Sequence, residues 1–185
     1  MLRDVRKGRE MRRVVLGTTA ALLVVGATPA YAVDTAVTFT VQGAALTVAG
    51  PANASLPSAS IGAPTSGPLG TVTVSDQRGV VPAPWTSTVN STDFVTGASG
   101  PSETIPNGNI SYASGPATST AGAGTFTPGQ PTTGDAVPLD TAKTAFSHVG
   151  GGGANTAGWN PRLTVNVPPT AAQGTYTGTV THSVA

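Results

Sequence analysis

The sequence predicts an all-β fold, an antiparallel β-sandwich of Ig-like or Greek-key type, on three observations. Period-two alternation of apolar and hydroxyl residues recurs near the start, in the middle and at the end of the chain, as expected of strands with one face on a core and one in water. The 24 glycines and 16 prolines gather between those runs and mark long Gly/Thr/Pro-rich loops. After residue 32 no apolar run has the 3.6-residue period of an amphipathic helix long enough to matter.

The first 32 residues have a different character. Arg3, Arg6, Lys7, Arg9, Arg12 and Arg13 precede the apolar run VVLGTTAALLVVG at 14–26, and Ala30-Tyr31-Ala32 supplies a small-x-small cleavage pattern. This is the layout of an export signal helix, with Met11 as an alternative start. The run is shorter than the roughly 20 residues of a spanning helix, so no stable membrane anchor is expected after cleavage. An uncleaved signal anchor, the competing reading, would tether the same domain outside the membrane.

Residues 33–185 then form one domain, and its charge differs from that of the whole chain. Three basic residues (Arg78, Lys143, Arg162) stand against six acidic ones, a formal net charge of −3 where the whole chain has +1. Phosphate neutralisation needs a basic surface, so nucleic acid and anionic lipid are excluded as partners. With no cysteine, disulfides and thiolate metal sites are excluded too.

Taken in order, TAVTFTVQ at 35–42 aligns Val37, Phe39 and Val41 and predicts a strand, continued after Gly43 by Leu46 and Val48. Residues 49–68 read as loop, with Leu56 and Ile61 as candidate plugs of a core edge. The stretch LGTVTVSDQRGVVPAPWTSTV at 69–89 predicts two successive strands, Leu69, Val72 and Val74 facing inward on one, Trp85, Ser87 and Val89 sharing a face on the other. Asp76-Gln77-Arg78-Gly79 is the corner between them, where glycine supplies a positive φ. Asp93-Phe94-Val95 closes that pair with Phe94 inward. Ile110 and Tyr112 mark a short strand. The low-complexity stretch 114–138 is either a mobile surface loop or a hairpin. Residues 141–149, anchored by Phe146, are either a strand or a helical turn.

The four glycines at 150–153 make a loop tip. They lack the Lys-Ser/Thr ending of a phosphate-cradling loop. Trp159 is placed on an irregular stretch before the strand RLTVNV, which Pro168-Pro169 ends. The closing strand is expected over 174–184, with Tyr176, Gly178, Val180, His182 and Val184 on one face and threonines with Ser183 on the other.

Catalytic chemistry is thinly supplied. His148 and His182 are the only histidines, no Gly-x-Ser-x-Gly elbow occurs, and Asp76, Asp93, Glu103, Asp135 and Asp140 are scattered. The chain is read as a non-enzyme without cofactor or metal. Asp76 and Arg78, two apart on an extended segment, point the same way and form a corner pair or, less favoured, a ligand contact. Trp85 is an expected core anchor. Trp159 is the better candidate for stacking on a sugar, provided its face is open.

The order VTFTVQGAALTV, then LGTVTVSDQRG with Trp85, then LTVNVPPTAAQGTYTGTVTHSV, resembles the WxL domain of Gram-positive cell-surface proteins over about residues 35–184. The Asp-x-Arg-Gly corner followed by Trp, and the closing Pro-x-x-Ala-x-x-Gly-Thr-Tyr-x-x-x-Val, carry the likeness. The naming motifs diverge: Trp85-Thr86-Ser87 and His182-Ser183-Val184 stand where the two Trp-x-Leu motifs would be. The resemblance implies a secreted, non-catalytic protein held non-covalently on peptidoglycan or another cell-wall glycan outside a Gram-positive cell. Candidate ligand-binding residues on that reading are Trp85, Trp159, Asp76, Arg78, Tyr176 and His182. The alternative is a structural or adhesive surface subunit that binds other surface proteins through its strand edges.

Overall fold

The structure is a computed structural model that describes residues 35–185, so the expected signal segment at 1–32 lies outside the described residues. The chain divides into Met1–Phe39 and Thr40–Ala185, and the architecture that follows is that of the second unit.

In chain order the strands are β1 Leu46–Ala49, β2 Pro64–Pro68, β3 Val72–Asp76, β4 Trp85–Ser91, β5 Phe94–Val95, β6 Thr104–Ile105 and β7 Ile110–Ala113. They continue with β8 Ala117–Ala121, β9 Thr125–Pro128, β10 Val137–Pro138, β11 Lys143–Val149, β12 Asn155–Trp159, β13 Arg162–Asn166 and β14 Val180–Val184. Among the described residues there is no α-helix, only three short 3₁₀ turns. Every pairing is antiparallel. The first sheet has the order β1-β3-β12-β8, the second β10-β7-β13-β2, the third β14-β4-β11-β9, and β5 with β6 makes a small ribbon. This all-β, antiparallel arrangement is consistent with a sandwich.

One core is shared by the three large sheets. Val72, Val74, Ala157 and Trp159 enter it from the first sheet, Ile110, Tyr112, Leu163 and Val165 from the second, and Trp85, Val89, Ala145 and Phe146 from the third. Alternation explains the choice. In β3 Val72, Val74 and Asp76 are buried while Thr73 and Ser75 between them are less so, and β4 buries Trp85, Ser87, Val89 and Ser91. The inward face expected over 69–89 is therefore the one observed, although its two strands lie in different sheets.

Three connections cross between the first sheet and the third at one end of the domain. Residues 77–84 lead from β3 to β4, 122–124 from β8 to β9, and 150–154 from β11 to β12. The last two touch, because Gly151, with φ +61°, lies where a Cβ would strike the Ala123 carbonyl. That close approach is what the glycine run provides.

Several expectations are corrected. Residues 35–42 form no strand: Val37, Phe39 and Val41 are 81%, 85% and 82% exposed. The reason lies in β3. Its ladder with the β1 arm extends only as far as Ala44 and Ala45 opposite Gln77, and beyond Arg78 the chain turns away at Gly79, φ +69°. Nothing of β3 remains for the earlier residues to pair with. The stretch 114–138 is neither a free loop nor a hairpin, since β8 pairs with β12 and β9 with β11. Trp159 ends a regular strand instead of lying on an irregular stretch.

The loop expected at 49–68 ends in β2, with Leu56 half-buried against the core and Ile61 exposed. Residues 143–149 are strand, with Phe146 buried as expected. Phe94 packs half-buried on the core, and β5 pairs with β6 instead of closing the earlier pair. The closing strand is shorter than expected. Before Val180 the chain makes an isolated bridge from Thr177 to Val95 and hydrogen bonds between Thr179 and Thr92, and Gly178 lies under the Phe94 ring.

Candidate functional site

The end of the domain where the connections cross is tied by a chain of polar and aromatic groups. Asp76, the last residue of β3, is fully buried. Its Oδ1 accepts from Arg78 N at 3.0 Å and Arg78 Nε at 2.9 Å, and its Oδ2 from Arg78 Nη2 at 2.8 Å and Asn155 Nδ2 at 3.4 Å. Arg78 Nη2 also donates to the Pro84 carbonyl at 2.8 Å. This two-pronged grip holds the Asp76 carboxyl below its ordinary range, the Arg78 side-chain hydrogen bonds being the main cause, and raises the Arg78 guanidinium in turn.

Asn155 passes the connection on. Its Oδ1 accepts from Trp85 Nε1 at 2.7 Å, so the first residue of β12 fastens the first residue of β4 to the last of β3. The Trp85 indole stacks on His148 with centroids 5.7 Å apart, and His148 lies 4.5 Å from Phe126. His148 Nδ1 is 2.8 Å from the Ala83 carbonyl and Nε2 is 3.0 Å from the Ala123 carbonyl, one in each of two crossing connections. Both carbonyls accept, so a neutral imidazole donates to one of them and merely approaches the other.

A second chain runs through the core. Trp159 Nε1 donates to the Tyr112 hydroxyl at 3.0 Å, and that hydroxyl lies 3.0 Å from His182 Nε2. The phenol is buried and the imidazole is the one acceptor within reach of its proton, which makes Nε2 the acceptor and leaves the His182 proton on Nδ1. Burial lowers the His182 pKa to about 4 and raises that of the Tyr112 phenol. His182 is therefore neutral at pH 7, held as a hydrogen-bond acceptor in an apolar setting.

The six candidate residues do not meet on one surface. Trp85 and Asp76 belong to the first chain, Trp159 and His182 to the second, and Tyr176 to neither, its hydroxyl lying 3.0 Å from the Ser102 carbonyl and 2.9 Å from that of Ala172. Trp85 is 2% and Trp159 0% exposed, so neither indole offers a face to a sugar ring. Arg78, with 31% of its side chain exposed, is already bonded to Asp76 and Pro84. Asn155 and Tyr112, which join these residues, went unmarked as site residues because an asparagine after a glycine run and a tyrosine on a short strand carry no motif.

What is open is different in kind. Among the described residues no three of His, Asp and Glu gather as metal ligands would. A recess of about 290 Å³ between Pro68, Pro116 and Pro131 contains one charged group, Arg162, which donates to Ser66 Oγ at 2.9 Å. A second cleft, of about 250 Å³, lies between β1 and β14, the unpaired edges of the first and third sheets. The edge strand β8 is exposed at all five positions. No protein-family model, no curated protein and no solved structure matches this chain.

Proposed function

We propose that the chain is an exported, non-catalytic β-sandwich of Greek-key type that serves as a structural or adhesive subunit at the cell surface and binds protein through its strand edges. The observation that supports this reading is the contrast between closed chemistry and open backbone. Both indole nitrogens, His182 Nε2, the His148 ring and the Asp76 carboxylate are engaged inside the protein, whereas β1, β8 and β14 present edges without a partner strand among the described residues. Unpaired N–H and C=O groups along an edge are a template for an incoming strand.

Wall association, which the WxL-like order of elements implies, has lost its stacking platform here. Trp85 and Ser87, at the first Trp-x-Leu position, are both buried on the inner face of β4, and His182, at the second, is bonded to Tyr112. One experiment separates the two readings: co-sedimentation of the exported chain with purified peptidoglycan, beside sedimentation velocity of the chain alone over a concentration series. The strand-edge reading expects the protein to stay in the supernatant and to associate with itself or with other surface proteins. Salt-independent pelleting with the wall, without protein association, would overturn it in favour of glycan binding.

A further inference from the structure

The segment at 35–42 is built like a strand and is paired with nothing among the described residues. Val37, Phe39 and Val41 alternate with Thr38, Thr40 and Gln42, so in extended form one face is apolar and the other polar. All three apolar residues are more than four-fifths exposed. Isolated exposed apolar residues need no explanation, but three in strand register on an uncharged segment do.

The seam between β1 and β14 has the complementary character. The two strands close opposite sheets and approach within 8 Å between Cα atoms without pairing. Their cleft is lined by Val48, Ala49, Pro51, Val180, Thr181 and His182, with no Lys, Arg, Asp or Glu among them. Val48 and Val180 are only half-buried there. A strand laid along this seam covers them with its apolar face, turns its threonines to water, and meets an open backbone edge on either side. A strand between two others holds them about 9.5 Å apart, so the seam must part by at least about 1.5 Å to admit one. Eight extended residues reach about 26 Å, longer than β14.

The segment cannot reach its own seam as a hairpin arm without losing part of itself. Ala44 and Ala45 are bonded to Gln77, and Gly43 lies where a Cβ would strike the Arg78 carbonyl. A reversal of two to five residues would have to be cut from the residues before Gly43, consuming Val41. We infer that residues 35–42 of one copy dock as an added strand in the β1–β14 seam of a second copy. Donor and acceptor are different surfaces, so the contact is head-to-tail and repeats along a row of subunits. This inference rests on the strand-edge reading above and names the edge and its occupant.

The test uses the chain as exported by an expressing host, its N-terminus read by mass spectrometry, and two variants. Phe39→Asp alters the segment alone and Ala49→Asp alters an exposed position of the seam. Sedimentation velocity is expected to show concentration-dependent oligomers for the unaltered chain and at least 100-fold weaker self-association for each variant. An equimolar mixture of the two variants should regain a dimer and stop there, because it contains one intact segment and one intact seam. Unchanged thermal unfolding of Phe39→Asp would show that the loss is not one of folding. Oligomers that survive both substitutions would overturn this docking mode while leaving the strand-edge reading with another edge, and a monomeric unaltered chain that also binds no surface protein would overturn both.

Discussion

Tyr112 gives its phenolic proton to His182 Nε2, 3.0 Å away and the one acceptor within reach, while its oxygen accepts the indole N–H of Trp159. His182, on the edge strand β14, is thereby locked to the core through the second sheet. The arrangement requires a neutral imidazole, since a protonated one would offer a donor to a hydroxyl whose proton points at it.

Stability should therefore fall as His182 is driven to charge. Its folded pKa of about 4 lies below the ordinary 6.5, so the unfolded chain binds the extra proton first as pH drops. The contribution is whole above about pH 6.5 and is lost progressively toward pH 4, costing about 2–3 kcal/mol by pH 4.5. Urea unfolding at pH 7.5 and 4.5 checks this. His182→Gln should flatten the difference, and an unchanged pH dependence in that variant would assign it elsewhere.

Asp76 acts in the same sense, lower on the pH scale. Its pKa is lowered in the fold, so the stability it contributes is present above the ordinary carboxylate range and is lost as pH falls through the folded value, below the window of His182. Arg78→Ala leaves a buried carboxylate with the Arg78 backbone N–H and the long Asn155 contact, and should cost about 2–4 kcal/mol at pH 7 by chemical denaturation. A cost under about 0.5 kcal/mol would mean that solvent reaches the carboxylate.

Ser87 makes the reverse prediction. It sits on the buried face of β4 with a hydroxyl that has no hydrogen-bond partner. Removing an unpaired buried polar group relieves its desolvation, so Ser87→Ala should stabilise the domain by up to about 1 kcal/mol in thermal or urea unfolding. Clear destabilisation would show that the hydroxyl is bonded in solution.

Gly124 is the critical residue of the β8–β9 crossing. With φ +116° and a Cβ position that collides with the His148 ring, Gly124→Ala should cost about 2–4 kcal/mol and release the His148 contact with Ala123. Near-UV circular dichroism of Trp85, which stacks on His148, should weaken with it.

Inward faces were legible wherever hydrophobicity alternates on strands that carry core. The Val72/Val74 and Trp85/Ser87/Val89 faces and the Ile110/Tyr112 strand follow from period two alone, whereas Phe146 was legible as an anchor on a segment left open between strand and helical turn, its alternation being broken by a bulge. β8 was not legible, because ATSTA is exposed throughout and is held by backbone bonds to β12 that leave no pattern in side chains. Residues 35–42 were misplaced for the opposite reason. Their alternation is a true strand signal, but pairing is a property of available partners, and β3 ends too soon to supply one. At the candidate site, residue types suggested a corner pair at Asp76 and Arg78, and geometry bore this out. They gave no hint that Asn155 and Tyr112 would spend the aromatic nitrogens internally.

Hydrogen exchange of the chain at low and high protein concentration bears most directly on subunit association through strand edges. Amides of residues 35–42 should exchange freely in dilute solution and gain protection together with those of β1 and β14 as concentration rises. Exchange that stays fast in the segment, and unchanged in both edge strands, at every concentration and in the presence of surface-protein extract would contradict it.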